Sequence, residues 1–323
     1  MEYLSSSPNP RTMKQIFSIL YVSFFISTIL ITNAQVVFKD YNAAALQAMI
    51  KGRTYAVLTN DTTFNKWFQH SLDQVWSVST LTYITAAQLD TAVKSDKNVF
   101  LFAQARDKSG GAVHLLNSED IAGKKDFLMM LSQGGAKQAK YLFTPATSGP
   151  KIIAYFRYSP ERADVTAGML EGEMLLAFMN QSLQIIVDNK IKGGVHDSIW
   201  YRISYEAPQI KDKTMLFNKA YSDGTIALEK KVLLNDKIVE GYSFDYRQTT
   251  SDTIKDILEN NPANYVYLFL YYPSSYVNQA DDSGDILVYD PSQKKMLYYD
   301  DNLSGPWVEK GEFKDMIYAI KQK

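Results

Sequence analysis

Two stretches of this chain follow one order of apolar segments, and this repetition constrains the fold more than any other feature of the sequence. The stretches are residues 54–131 and 213–300, and each reads as strand, helix, strand, helix and then three strands. An internal repeat of this kind predicts two similar βαβαβββ units.

A constant offset keeps the two stretches in step, because Trp76 and Tyr242 are separated by the same number of positions as Asn98 and Asn264. The predicted strands of the first stretch are 54–58, one opening on Trp76, 99–102, 112–116 and 127–131. Those of the second are 214–217, one opening on Tyr242, 265–270, 286–289 and 296–299, and the helix after the first of these runs through Leu228 and Val232.

The connections between the strands predict the sheets. Strands joined through helices run parallel with right-handed crossovers, and strands joined by short turns run antiparallel. The fold class expected is therefore α/β to α+β, with mixed sheets and helices packed on them. Gly-Gly pairs at 110–111, 134–135 and 193–194, and the Lys-Lys pair at 294–295, predict turns.

Further elements are predicted between and after the units. Residues 152–158 form a strand, 164–189 a long helix that packs between the units, 199–205 a half-buried strand and 312–323 a terminal helix. The domains expected are a first unit at 35–160 and a second unit at 161–323.

The N-terminus predicts export. Arg11 and Lys14 precede the apolar run 16–31, and small residues up to Ala34 follow it, which is typical of a secretory signal peptide spanning 1–34. The alternative is an uncleaved anchor, but the run is shorter than the roughly 20 apolar residues that a membrane span needs. We expect a secreted or periplasmic protein without a membrane span after cleavage.

The absence of cysteine and the nearly balanced charge exclude several functions. A chain with no cysteine has no disulfide, thiolate nucleophile or cysteine metal site. A net charge of −1 without a basic run gives no basis for nucleic-acid binding. No nucleotide, phosphate-loop or nucleophile-elbow motif is present, and we predict no catalytic residue and no cofactor.

The titratable residues do not form a recognisable site. His70, His114 and His196 lack partners at metal-ligand spacing, so they are interpreted as structural or surface residues. The segment 300–305 opens like a calcium-binding EF-hand loop, but Pro306 and Gly311 occupy the seventh and twelfth positions and break the pattern. We predict no metal site.

The longest loop of the second unit is the candidate binding segment. Residues 273–284 replace a six-residue loop of the first unit. Insertions in one copy of a repeat fall in loops, and loops on rigid scaffolds often carry recognition. The candidate ligand-binding residues in and before this loop are Tyr271, Tyr272, Tyr276, Asp281 and Asp282.

Three segments of the second stretch, KTML at 213–216, GYSF at 241–244 and the hairpin 285–299, resemble those of a family of uncharacterised exported bacterial proteins built from such α/β units. The resemblance covers about residues 36–323 and implies export and a repeated fold. It brings no catalytic residue with it.

The sequence favours an exported, non-enzymatic binding or assembly protein of the bacterial envelope, with a protein or a glycan as partner. The alternative is a hydrolase of glycans or peptides that acts through carboxylates, and Asp282, Asp285 and Asp300 are its candidate acids. A purely structural envelope component is a third hypothesis.

Overall fold

Two mixed β-sheets with helices packed on them make this an α+β fold. The computed structural model describes residues 37–38, 46, 49–106, 112–113, 127–135, 152–158, 165–191, 195–223, 227–228, 231–232, 234–271, 284–301 and 308–322. The predicted signal peptide lies outside these residues, as do the turn at Gly110-Gly111 and the pair Gly193-Gly194.

The first sheet has the strand order β1–β7–β6–β4–β2–β3, and β5 pairs with β4 beside this path. Its strands are β1 (Val37–Phe38), β2 (Arg53–Leu58), β3 (Thr80–Thr85), β4 (Asn98–Arg106), β5 (Ala112–Val113), β6 (Phe127–Gln133) and β7 (Ile152–Tyr158). β2 is parallel to β3 and to β4, and the pairs β4–β6 and β6–β7 are antiparallel. The expected change from parallel to antiparallel pairing is confirmed.

The second sheet has the order β11–β8–β12–β13–β14. Its strands are β8 (Thr214–Asn218), β11 (Tyr246–Thr249), β12 (Tyr265–Tyr271), β13 (Asp285–Asp290) and β14 (Lys295–Asp300). β8 is parallel to β11 and to β12, and β12–β13 and β13–β14 are antiparallel. A separate two-stranded hairpin joins β9 (Ala227–Leu228) to β10 (Lys231–Val232).

Some of the helices begin at residues whose side chains cap them. They are α1 (Thr62–Val75), α2 (Ala86–Ala92), α3 (Val165–Asn189), α4 (Val195–Ser204), α5 (Asp236–Val239), α6 (Ser251–Asn260) and α7 (Lys310–Lys321). Asp61 caps α1 by accepting bonds from the backbone N–H groups of Thr63 and Phe64, at 2.8 and 2.9 Å. Thr85 and Gln88 form the capping box of α2.

The predicted repeat unit βαβαβββ is not confirmed. The predicted helix through Leu228 and Val232 is wrong, because these residues belong to the hairpin β9–β10. In the first sheet, the predicted strand at 112–116 corresponds to β5, which has two residues and pairs beside β4. The two strands that follow β4 in the sheet order are therefore β6 and β7. The rest of the predicted strand 112–116 lies outside the described residues.

Three predicted strand positions are corrected. Residues 199–205 were expected to form a strand, but they lie in and after helix α4. Ile199 and Ile203 are both buried, and a spacing of four residues places them on one face of a helix, as it would on one face of a strand. Trp76 and Tyr242 do not open strands, since β3 begins at Thr80 and β11 at Tyr246.

Helix α3 is buried on all sides over part of its length. The six consecutive residues Met174 to Met179 are each at most 1% exposed. A helix that is apolar all round belongs in a core. One apolar cluster joins Phe178 of α3 with Phe156 of the first sheet and Tyr267 of the second.

Residues from Ala34 to Lys323 form one compact unit. The expected boundary between 35–160 and 161–323 stays a prediction. Among the described residues, none of the helices combines the length and the apolar composition that crossing a membrane requires.

The close approach of the chain after β6 to the segment after α2 depends on Gly134. Gly134 N–H donates to Asn98 O at 2.8 Å, and Gly135, with a φ of 137°, donates to Val93 O. A Cβ atom added to Gly134 would lie 2.5 Å from Ser95 O and 2.9 Å from Val93 O. Both are backbone atoms and have little freedom to move.

We expect Gly134→Ala to lower the free energy of unfolding by about 2 kcal/mol, because overpacking against backbone forces this segment to shift. Chemical denaturation measures the loss. Gly311→Ala in α7 is the matched control: its Cβ meets nothing within 4 Å, so helix propensity should raise stability by up to about 1 kcal/mol. A Gly134→Ala protein as stable as the parent would show that the segment adapts.

Candidate functional site

A groove of about 830 Å³ opens between the end of α1, the second half of α3, helix α4 and the β13–β14 turn. This volume lies within the range of small-ligand sites. Six of its lining side chains are amides: Gln74, Asn180, Gln181, Gln184, Asn189 and Gln293. The groove is therefore rich in groups that both donate and accept hydrogen bonds.

Two of these amides hold the walls together. Asn180 Oδ1 accepts from the N–H groups of Ser77 and Val78, at 2.9 and 3.1 Å, and its Nδ2 donates to Ser77 Oγ. Gln181 Nε2 donates to Met296 O at 3.0 Å, while its Oε1 accepts from Met296 N at 2.7 Å. Helix α3 is thereby tied to the end of α1 and to the edge strand β14.

The turn between β13 and β14 is held in place by a buried aspartate. The side chain of Asp290 is fully buried and forms an ion pair with Lys213 at 2.9 Å. It also accepts from Ser292 Oγ at 2.6 Å and from Gln293 Nε2 at 2.7 Å. Burial alone would raise its pKa, but these donors outweigh burial and the pKa of Asp290 is lowered.

Side chains of this turn then reach across the groove. Lys295 Nζ lies 3.3 Å from Glu206 Oε2, and Lys294 donates to Gln74 Oε1. Lys294 has a φ of 53°, which confirms the predicted turn at this Lys-Lys pair. The contacts fix the position of the turn relative to α1 and to the segment after α4.

Several of the remaining lining side chains are open to solvent. Tyr201 and Tyr205 of the α4 segment are 64% and 74% exposed, and their ring centroids are 6.5 Å apart. Arg202, between them in sequence, is exposed and has no hydrogen bond or ion pair within the part of the chain that the structure describes. Gln184 donates to Asp188 at 2.9 Å and is half-buried.

Both carboxyl groups of the groove have side-chain partners. Asp188 accepts from Gln184, and Glu206 is paired with Lys295. Outside the lining of the groove, burial raises the pKa of Glu173, which His70 opposes, and burial with the nearby Asp301 raises the pKa of Asp285 well above its usual range. Neither Glu173 nor Asp285 lines the groove.

Asp285 is an unusual buried acid. It is fully buried at the start of β13, and among the described residues neither of its carboxyl oxygens has a hydrogen-bond partner. The strand register places it opposite Tyr271 of β12. Because an ionised carboxylate in such a place costs more than a neutral one, the folded protein favours protonated Asp285.

The residues proposed from sequence fall partly outside the described ranges. Tyr271 ends β12 and is buried in the main apolar cluster, at 3% exposure. Tyr272, Tyr276, Asp281 and Asp282 lie outside the described residues. Recognition by this loop stays a prediction.

The other candidate acid, Asp300, accepts from Tyr298 Oη at 3.2 Å. Of the histidines, His114 lies outside the described residues. Within the described part of the chain, no three acidic or histidine side chains are grouped so that they could hold a metal ion.

The sequence did not predict the groove, because its residues come from four distant segments and form no motif. The strand predicted at 199–205 placed Tyr201 and Tyr205 on the same face as Ile199 and Ile203. In the helix the two isoleucines are buried and the two tyrosines exposed. A helical interpretation of this segment would have provided the missing signal.

Comparison with known proteins adds no assignment: no family model, no curated protein and no solved structure matches this chain.

We expect Asp285→Asn to stabilise the protein at neutral pH. The folded-state pKa of Asp285 is raised, so the parent protein loses stability as pH rises from about 4 towards that pKa, by up to about 1.4 kcal/mol per pH unit. The variant lacks this loss. The difference in free energy of unfolding between variant and parent, measured by urea denaturation, should therefore grow with pH and vanish in acid.

Asp290→Asn is the control of opposite sign. The pKa of Asp290 is lowered, so the stability that its carboxylate contributes is present at neutral pH and is lost as pH falls through the folded-state pKa. This variant should be least stable relative to the parent at neutral pH. Equal pH profiles for both variants would contradict the assignment of Asp285 as a protonated acid.

Proposed function

We propose that this protein is an exported, non-enzymatic binding protein, and that the groove between α1, α3, α4 and the β13–β14 turn holds a neutral oligosaccharide. The observation that carries the proposal is the lining itself: two exposed tyrosine rings together with six amide side chains, of which Asn180 and Gln181 fix the walls.

The chemistry of the lining matches a sugar better than other ligands. A sugar hydroxyl both donates and accepts hydrogen bonds, and so does a side-chain amide. Tyrosine offers an apolar ring face with a polar tip, which suits the weakly polar face of a sugar ring. Tyr201 and Tyr205 are mostly exposed beside Gln184, so both kinds of contact are available to one ligand.

The arrangement of carboxyl groups favours binding over hydrolysis. A glycosidase needs a carboxylic acid with a raised pKa in contact with the scissile bond, and a second carboxylate facing it. The described acids with raised pKa values, Glu173 and Asp285, do not line the groove. Glu206, which does, is paired with Lys295.

Export is proposed on the strength of the N-terminal sequence. The apolar run 16–31 follows two basic residues and precedes small ones. The compact unit begins at Ala34, next to the expected cleavage point. We place the protein in the periplasm or outside the cell, where an oligosaccharide or a glycan-bearing partner is within reach.

We also propose that the two sheets descend from a duplicated unit. The two sheets share one arrangement of strands. In the first sheet β2, and in the second sheet β8, lies between two parallel neighbours, and two antiparallel strands follow on one side. The shared strand order supports this proposal. The duplicated unit would then end with β7 in the first half.

Isothermal titration with neutral cello-, xylo-, malto- and chito-oligosaccharides tests the proposed function. At least one series should bind, and Tyr201→Ala should weaken its affinity by about tenfold, or 1.4 kcal/mol, through loss of the ring contact. Tyr318→Ala is the matched control, because Tyr318 is 67% exposed on α7 and does not line the groove.

The same samples test the alternative function, a hydrolase that acts through carboxylates. Reducing ends should not accumulate during prolonged incubation with the sugar that binds. Release of reducing ends that Tyr201→Ala abolishes would favour the hydrolase, and no binding in any series would refute the saccharide groove.

A further inference from the structure

Strand β3 leaves one edge of the larger sheet open. It runs from Thr80 to Thr85, pairs with β2 along its whole length, and ends the strand order of that sheet. Within the described ranges no strand pairs with its other side. Thr80 and Thr85 are exposed, and Thr82 is half-buried.

The other sheet edges are closed or short. The backbone of β14 is bonded by side chains, since Gln181 pairs with both N and O of Met296, and Ser204 Oγ donates to Tyr299 O. β11 has four residues and carries Arg247, and β1 has two residues. Short strands, charges and covering groups are the usual means of preventing edge pairing.

Among the residues that the structure describes, β3 has none of these protections. Its sequence, TLTYIT, contains no charge, no proline and no glycine. Threonine, tyrosine and isoleucine are strongly favoured in strands. A regular, uncharged edge of this kind is a template for another strand, because its outward N–H and C=O groups still need partners.

We propose that β3 is an interaction surface at which two copies of this chain pair their β3 strands antiparallel. The two-fold axis passes between the Thr82 residues of the two copies. The proposal is independent of the groove and its ligand. It joins two sheets edge to edge into one continuous sheet, an arrangement in which the same patch serves both partners.

The register follows from the chemistry of the strand. With Thr82 opposite Thr82, Leu81 of each copy lies opposite Tyr83 of the other. Threonine pairs and aromatic–aliphatic pairs are both favourable directly across antiparallel strands. No like charges meet, since β3 has no charge.

The two faces of the sheet also match in this register. Leu81 and Tyr83 pack against the main apolar cluster, whereas Ile84 belongs to a second cluster with Leu89 and Val93. A two-fold axis perpendicular to the sheet keeps each face on its own side. On the face of Leu81 and Tyr83 the apolar layer therefore continues from one copy into the next, and a second copy fits this edge better than an arbitrary strand.

Analytical ultracentrifugation of residues 34–323 tests the association. A six-residue pairing is smaller than a standard interface, so we expect a reversible dimer with a micromolar dissociation constant. The dimer should be detected as the protein concentration is raised to about 100 µM. Thr82→Lys places two charges at the axis and should leave a monomer with unchanged circular dichroism. A parent protein that stays monomeric, or a dimer that survives Thr82→Lys, overturns the proposal.

Single cysteines test the register, because the chain has no cysteine of its own. Under mild oxidation Thr82→Cys should give a disulfide-linked dimer, since opposed Cα atoms lie about 5 Å apart, within reach of a disulfide. Thr80→Cys is the matched control on the same face: its two copies would lie about 14 Å apart and should not cross-link. Equal cross-linking of both variants, or of neither, overturns the pairing at Thr82.

Discussion

Burial of helix α3 is the interaction on which the rest of the structure depends. Over Met174 to Met179 the helix is enclosed on every side, and it connects the apolar faces of both sheets through contacts such as Phe178 with Tyr299, whose rings are 4.7 Å apart. Immediately after this enclosed section one face of the helix becomes polar, and Asn180 and Gln181 bond to the segment just after α1 and to β14. The groove exists because one helix passes from the core to the surface between elements that it holds apart.

The sequence was sufficient to predict helices and strands where local chemistry and periodicity agree. Asp61 and the pair Thr85–Gln88 lie at helix starts, and their side chains bond to the first free N–H groups, a pattern that is local in the sequence. Residues 199–205 show the limit of periodicity. Ile199 and Ile203 are four positions apart, a spacing that a helix and a strand both satisfy, so tertiary packing decides between them.

The candidate site was less predictable than the fold, for a physical reason. Gln74, Gln184, Tyr201 and Gln293 are ordinary surface residues when taken singly, and only their meeting in space makes a polar groove. Spatial proximity between segments so far apart in the chain has no local signature. Asp285 is similar: it immediately precedes the predicted strand 286–289, and only the strand register shows that it lies in the interior opposite Tyr271.

The amide of Gln181, bonded to both backbone groups of Met296, has a consequence for assembly beyond the groove. It occupies the hydrogen-bonding positions that a neighbouring strand would use, so the smaller sheet cannot grow at β14. If each chain offers a single template edge, pairing consumes that edge in both copies at once. Growth then terminates at a closed pair, whereas two open edges per chain would permit an unlimited fibre.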